Sequence, residues 1–269
     1  MNRALKLFLK SAFARCYIRI KGGNRELSWL IFEVVMPLLG IAAIVYTYDF
    51  LGAPETFVGF VILGGAMFSY WFNVLWGIGM NFYWEKERGN LEKILVTPSP
   101  LQGVLLGIAL GGMFNTTVRA LATVVIGIVI FNAKFNPSGI APAMAVFSLT
   151  IFALYSLGMC FASLFLKLGR SGWRLTELMQ EPINFLSGQY YPLRTLPAIL
   201  QLLASLIPIT IGIDGVRLSL VLGSSVLDLR LHLALLLLIG ISMFAISYRV
   251  LNWMERKGKE DGSLTMRWM

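Results

Sequence analysis

Apolar residues run along this chain in long blocks separated by short polar intervals, without the strict alternation that marks half-buried strands. Six stretches read as membrane-spanning helices: Trp29–Tyr48, Phe57–Tyr83, Leu101–Phe131, Ala141–Leu166, Thr176–Tyr191 and Leu231–Trp253. Several approach or exceed the roughly 20 residues that a helix needs to cross a hydrocarbon core of about 30 Å. A seventh apolar stretch, 193–222, is interrupted by Pro197, Pro208, Gly212, Asp214 and Gly215, so its helices should be short. Ahead of the first span the period is helical and two-faced. Leu5, Phe8, Leu9, Ala12, Cys16 and Ile20 fall on one side, Arg3, Lys6, Lys10 and Lys21 on another, and Arg15 and Arg19 flank the apolar stripe. This predicts an amphipathic helix over residues 1–27, lying on the inner membrane surface with its basic side chains among headgroups. Basic residues recur through the whole stretch and no small-residue cleavage site follows it, so it does not read as a signal peptide.

Composition strengthens the membrane reading: 57% of the residues are hydrophobic and 14% charged. Strands of a barrel would appear as short alternating segments, and none do. The net charge of +9 comes from residues beside apolar blocks, which points to headgroups and topology and away from nucleic acid. Basic clusters around 3–25, 86–93, 167–174 and 249–267 share one side if there are six spans, against Lys134, Arg194, Arg217 and Arg230 on the other. The expected fold is therefore an all-α membrane protein. It has six spans within residues 28–253, both termini cytoplasmic, an outer re-entrant helical hairpin at 193–222 and a basic tail at 254–269. Two cysteines, Cys16 and Cys160, and the single His232 offer no metal-ligand cluster. No H-E-x-x-H or G-x-S-x-G motif occurs, so no catalytic residue is assigned.

One short segment departs from this oily pattern. EKERGNLEKILVTP, Glu85 to Pro98, carries balanced charges between the second and third spans, both longer than a bilayer requires. Trp84, Arg88, Leu91 and Leu95 share a helical face, and Glu85 with Arg88 and Arg88 with Glu92 are spaced for local ion pairs. Gly89 weakens the helix and Thr97-Pro98 ends it, so a short amphipathic helix is expected over 84–97 on the cytoplasmic side.

The segment resembles the acidic-glycine signature of the type-2 ATP-binding-cassette exporter permeases, through Glu85, Glu87, Gly89, Glu92, Thr97 and Pro98. Downstream, SGQYYPLRTLPAILQLLASLIPITIGIDGVR is similar to a second stretch of that family, through Gly188, Tyr190, Tyr191, Pro192, Leu196, Pro197, Pro208, Thr210, Asp214 and Arg217. The resemblance implies a coupling helix, with Glu85, Lys86, Glu87, Arg88, Gly89, Leu91, Glu92 and Leu95 facing a cytosolic ATPase subunit. It also implies an outer gate at Gly188, Tyr190, Tyr191, Pro192, Pro208, Asp214 and Arg217. Two ATPase subunits and a second permease subunit would complete the transporter in a prokaryotic cytoplasmic membrane, with ATP and magnesium on the partner. Consistent with that, this chain has no G-x-x-x-x-G-K-[ST] loop and is expected to be no enzyme and to hold no cofactor. Gly107-x-x-x-Gly111 offers a close-packing face for half a transporter. The acidic loop looks more like the drug, antibiotic and lipid exporters, whose cargo is lipophilic or amphipathic. The competing class is a secondary transporter or channel that works without an ATPase.

Ionisable groups within spans cost about 2.5–3.5 kcal/mol on insertion scales, so each needs a reason. Arg119 lies deepest, with Asn115 one turn before it; Glu33 and Glu181 sit nearer the cytoplasmic ends, at depths that do not obviously match Arg119. Asn73, Asn81, Asn184 and Gln189 raise the same question. A polar lining of a substrate path and a set of interhelical ties are both open readings. Phe68, Tyr70, Trp71, Phe72 and Trp76 are read as packing and interfacial belt.

Overall fold

The computed structural model describes residues 3–168 and 170–260, and among these the regular structure is helical throughout. The helices are α1 (Arg3–Gly23), α2 (Leu27–Phe50), α3 (Thr56–Phe72), α4 (Asn81–Glu87), α5 (Asn90–Leu95) and α6 (Leu101–Phe131), followed by α7 (Ile140–Leu168), α8 (Arg170–Leu186), α9 (Ala198–Ala204), α10 (Pro208–Leu220) and α11 (Arg230–Glu260). Residues 261–269, the greater part of the expected basic tail, lie outside the described residues. The protein is an all-α membrane protein. Among the described residues, five helices or helix runs are long and apolar enough to cross a bilayer, Leu30–Phe50, Thr56–Glu87, Leu101–Phe131, Pro137–Leu166 and Arg230–Lys257, and the bent pair Ala198–Ala204 with Pro208–Leu220 would make a sixth if it forms one span. The second of these is a rod of 32 residues, in which α3 passes through a π-helical segment, Asn73–Gly79, into α4.

Burial sorts these helices into two kinds. The Thr56–Glu87 and Pro137–Leu166 windows are 67% and 61% buried inside the molecule, whereas Leu30–Phe50, Leu101–Phe131 and Arg230–Lys257 reach only 11%, 28% and 17%. The core forms around the first pair. Tyr70, Trp71, Val74, Leu75 and Ile78 pack with Leu154, Phe161 and Phe165, and α10 supplies Ile209, Ile213 and Val216. The other three spans keep apolar side chains exposed, as helices solvated by lipid or by another chain do.

The fifth expected span, Thr176–Tyr191, takes a different form. Its helix, α8, begins earlier and has 17 residues, among them Arg174, Glu177, Glu181 and Pro182, so it is not among the helices apolar enough to cross alone. The turn that ends it lies deep in the bundle. The Gln189 carbonyl packs on Gly64 and the Tyr190 hydroxyl on Gly40, both near the middle of their helices. From there α9 and α10 are bent by 99°, and α10 runs to the far end of the bundle, where the Asn136 amide donates to the Leu220 carbonyl at 2.7 Å. The expected outer hairpin is thus a broken pair, with α10 continuing toward the end that α8 stops short of.

Two close-packing expectations also change. The Gly107-x-x-x-Gly111 face is filled within the chain: α1 runs alongside the first half of α6, with Ser11 on Gly103, Ala12 on Gly107 and Cys16 on Gly111. A side chain at any of these glycines would collide with α1, which is why small residues recur every fourth position. The helix expected to rest on lipid thus packs one side on α6, while its Leu5, Leu9, Phe13, Tyr17 and Ile18 remain exposed.

Candidate functional site

The 84–97 segment is two helices. Gly89 adopts φ 67°, a left-handed conformation that interrupts the helix, so Glu85–Glu87 close the α4 end of the long rod and α5 starts afresh at Asn90. The Thr97 hydroxyl donates to the Ile94 carbonyl at 2.7 Å and caps the end of α5. Leu91 is 0% exposed and anchors the segment in the core together with Ile94, so Leu91 is not offered to a partner. Exposed around it are Glu87, Arg88, Glu92, Lys93, Val96, Thr97 and Pro98. Glu85, expected to pair with Arg88, instead accepts from the Arg15 guanidinium at 3.5 Å and ties this segment to α1. An aromatic series runs inward from it. Trp84 meets Trp173 of α8 edge-on at 5.3 Å, and Trp173 meets Trp76 of the π-helical segment at 4.9 Å.

Trp76 borders a cavity of about 540 Å³ enclosed by α1, α2, α3 with its π-helical continuation, α6 and the turn after α8. Its apolar wall is Phe32, Met36, Phe68, Phe72 and Trp76; its polar groups are Arg19, Glu33, Asn73, Asn115, Arg119 and Gln189. π-helical segments bring side chains into registers an α-helix does not give, and here Asn73, Trp76 and Gly77 all reach the cavity.

Most polar side chains of the cavity are held by neighbours. Arg119 forms an ion pair with Glu33 of α2 and donates to the Gly23 carbonyl at 3.1 Å, so the depths of Arg119 and Glu33 do match. The Asn115 amide donates to the Arg19 carbonyl at 3.0 Å and accepts from Asn24 at 3.0 Å. Asn115 and Arg119 thus satisfy carbonyls at the C-terminal turn of α1, where a cation also complements the helix dipole. Asn73 accepts from the Tyr155 hydroxyl at 3.3 Å. The Arg19 guanidinium donates to the Gly77 carbonyl at 3.3 Å; burial holds its pKa below the ordinary value, with Tyr155 and Glu85 pulling the other way. Of the polar positions singled out from sequence, Glu33, Asn73, Asn115, Arg119 and Gln189 converge here, while Glu181 is exposed on α8 and does not. Arg19 escaped notice because it was counted as one more headgroup contact. Phe32, Phe68, Phe72 and Trp76 could not be told from packing residues without a partner surface.

At the other end lie the expected gate residues, one of them a buried cation. Arg217 is 1% exposed and donates to three backbone carbonyls: Phe60 at 2.9 Å, Gly188 at 2.7 Å and Gln189 at 2.5 Å. Gly188, at φ 62°, makes the turn that presents two of those carbonyls. The Tyr48 hydroxyl donates to the Tyr190 carbonyl at 2.8 Å, Tyr191 donates to the Phe185 carbonyl, Pro208 opens α10, and Asp214 meets His232 of α11 at 3.0 Å. His232 is therefore an interhelical tie.

Two deeply buried and three peripheral spans, a broken helix pair and a charged break between the second and third spans define a multi-pass helical membrane protein. Profile comparison is specific: residues 9–221 match the ABC-2 type transporter family, and the chain belongs to it. It is similar to the inner membrane transport permease YadH of Escherichia coli (strain K12), 26% identical over 162 residues, or 60% of this chain and 62% of the relative. The same figures hold for the permease of that name from Shigella flexneri. The match thus spans less than two thirds of the length of these curated relatives.

Proposed function

We propose that the chain is the membrane subunit of an ATP-driven exporter, resident in a prokaryotic inner membrane with both termini cytoplasmic, and that the α4–α5 elbow is where a separate ATPase subunit engages it. The observation that carries this reading is the elbow itself: Gly89 in the left-handed conformation, Leu91 and Ile94 anchored in the core, and Glu87, Arg88, Glu92 and Lys93 outside. Balanced charges give little net attraction to anionic headgroups, so a protein surface is the better match. Two ATPase subunits would bind ATP and magnesium, and a second permease subunit would complete the assembly. Closure of the ATPase pair would move the elbow as a rigid body, and the rod Thr56–Glu87 would carry that movement to the π-helical segment beside the cavity. An amphipathic cavity favours a lipophilic or amphipathic cargo.

Co-purification tests the elbow. Glu87→Arg with Glu92→Arg reverses two exposed charges and should weaken capture of the ATPase subunit about tenfold or more, with the permease still folded. Undiminished capture and undiminished cargo-stimulated ATP hydrolysis would remove the elbow from the interface.

A further inference from the structure

We infer that the cavity between α1, α2, α3 and α6 holds an anionic amphiphile, its acidic headgroup on the Arg19 guanidinium and its apolar part against Phe32, Met36 and Phe72. The carboxylate that lines the cavity, Glu33, is ion-paired with Arg119, which also donates to the Gly23 carbonyl. Arg19 is in no ion pair among the described residues. Its hydrogen bond is one 3.3 Å contact to the Gly77 carbonyl, and Glu85, the acid that acts on it, is paired with Arg15. A guanidinium has five N–H donors and stays protonated, so this half-buried cation has capacity for an acidic group on the cavity side.

The apolar half of the ligand follows from the opening. Phe32, Met36 and Phe72 line the cavity yet remain 49%, 46% and 51% exposed, so the cavity opens sideways between α2 and α3, along two helices that cross the bilayer. A water-soluble anion would have no use for that wall, and a neutral lipid none for Arg19. Headgroup on a basic site and chain along an apolar doorway describes an acidic lipid or a lipid-like acid, and the same chemistry serves a resident bilayer lipid or a transported cargo.

Native mass spectrometry of the purified full chain in detergent, titrated with dilauroyl phosphatidic acid and with dilauroyl phosphatidylcholine, measures this directly. The first phosphatidic acid should bind about tenfold more tightly than phosphatidylcholine, the increment expected for a charge-assisted contact. Arg19→Gln should bring the two within about twofold, whereas Arg194→Gln, at an exposed arginine outside the cavity lining, should leave the preference intact. Met36→Trp narrows the doorway without touching a charge and should weaken binding of both lipids, so the site remains testable should Arg19→Gln fail to fold. Equal binding of the two lipids by the unaltered chain, or a preference that survives Arg19→Gln, overturns the inference. The transport arm rests on the export reading and is scored separately, by reconstitution with an ATPase subunit. Phosphatidic acid that is bound and stimulates hydrolysis is cargo; phosphatidic acid that is bound without stimulation is a resident lipid, and the site stands either way.

Discussion

Arg217 and Arg19 are both arginines drawn into the apolar bundle, yet they do opposite things. Around Arg217 the protein closes: three backbone carbonyls from two segments converge on one guanidinium that is 1% exposed, and Phe60 stacks its ring 5.0 Å from the charge. Nothing further can bind there. Around Arg19 the protein stays open: one long hydrogen bond, a cavity on one side and half-exposed aromatics beyond. A fully buried cation held by three carbonyls is a tie, and a half-buried one held by a single long bond beside a cavity is a site. The contrast extends to the supporting backbone. Arg217 reads the carbonyls of a turn fixed by Gly188 at φ 62°, whereas Arg19 faces a π-helical segment, a register that costs helix regularity and recurs at working surfaces.

The largest effect should come from opening the closed end. Arg217→Gln leaves buried carbonyls of Phe60, Gly188 and Gln189 without their donor and should cost about 3 kcal/mol, read as loss of folded protein on heating in detergent. The same change at Arg19 should barely move the melting profile, since only one carbonyl hydrogen bond goes with it. If Arg19→Gln were as destabilising as Arg217→Gln, the distinction between tie and site would fail.

A smaller loss is expected where α1 seats on α6. Gly107→Leu drives a side chain into the Ala12 carbonyl and the Arg15 side chain, and should cost about 1–3 kcal/mol through overpacking. Because Arg19 and Gly23 of α1 form part of the cavity wall, the cavity should loosen before the core does. Maleimide labelling of Cys16, which lies over Gly111, checks this in a Cys160→Ser background. Labelling about tenfold faster in the Gly107→Leu protein is expected, and an unchanged rate would mean that α1 does not need the glycine stripe.

What the sequence could and could not reveal follows from the range of each signal. Long apolar runs report on the solvent around a helix, so Leu101–Phe131 is found with the limits expected of it and the other long spans to within about four residues, save that α11 continues past Trp253 to Glu260. The same measure misjudges α8, whose charged residues share a helix with an apolar face and whose following turn packs, through Gln189 and Tyr190, on Gly64 and Gly40 from elsewhere in the chain. The glycines at 103, 107 and 111 announce a close neighbour without naming it, and the neighbour is α1 and no second subunit. Asn73, Asn115 and Arg119 stand out because polar groups in spans are costly, but only three dimensions bring Arg19 to them from an element expected to lie on lipid. Glu33 seemed too shallow for Arg119 because depth was counted along each span from its own end, whereas α2 begins beside the middle of α6.

The smallest effect belongs to the ion pair that neither end of this comparison contains. Lys134 and Glu55 meet at 2.9 Å on side chains 84% and 85% exposed. Hydrogen bonding and charge from Lys134 hold the Glu55 carboxyl below its usual range, and Glu55 raises Lys134 in return. A depressed carboxyl contributes stability above its unfolded pKa and loses it as pH falls through the folded value, so any contribution disappears only in acid. Water screens both charges, and Lys134→Gln should leave melting at neutral pH where it was, with the acid limb of the profile equally unmoved within error. A clear destabilisation would mean that this pair clasps the α2–α3 and α6–α7 connections against each other. Charge at the rim would then matter as much as charge in the bundle, and burial would no longer be what separates Arg217 from the rest.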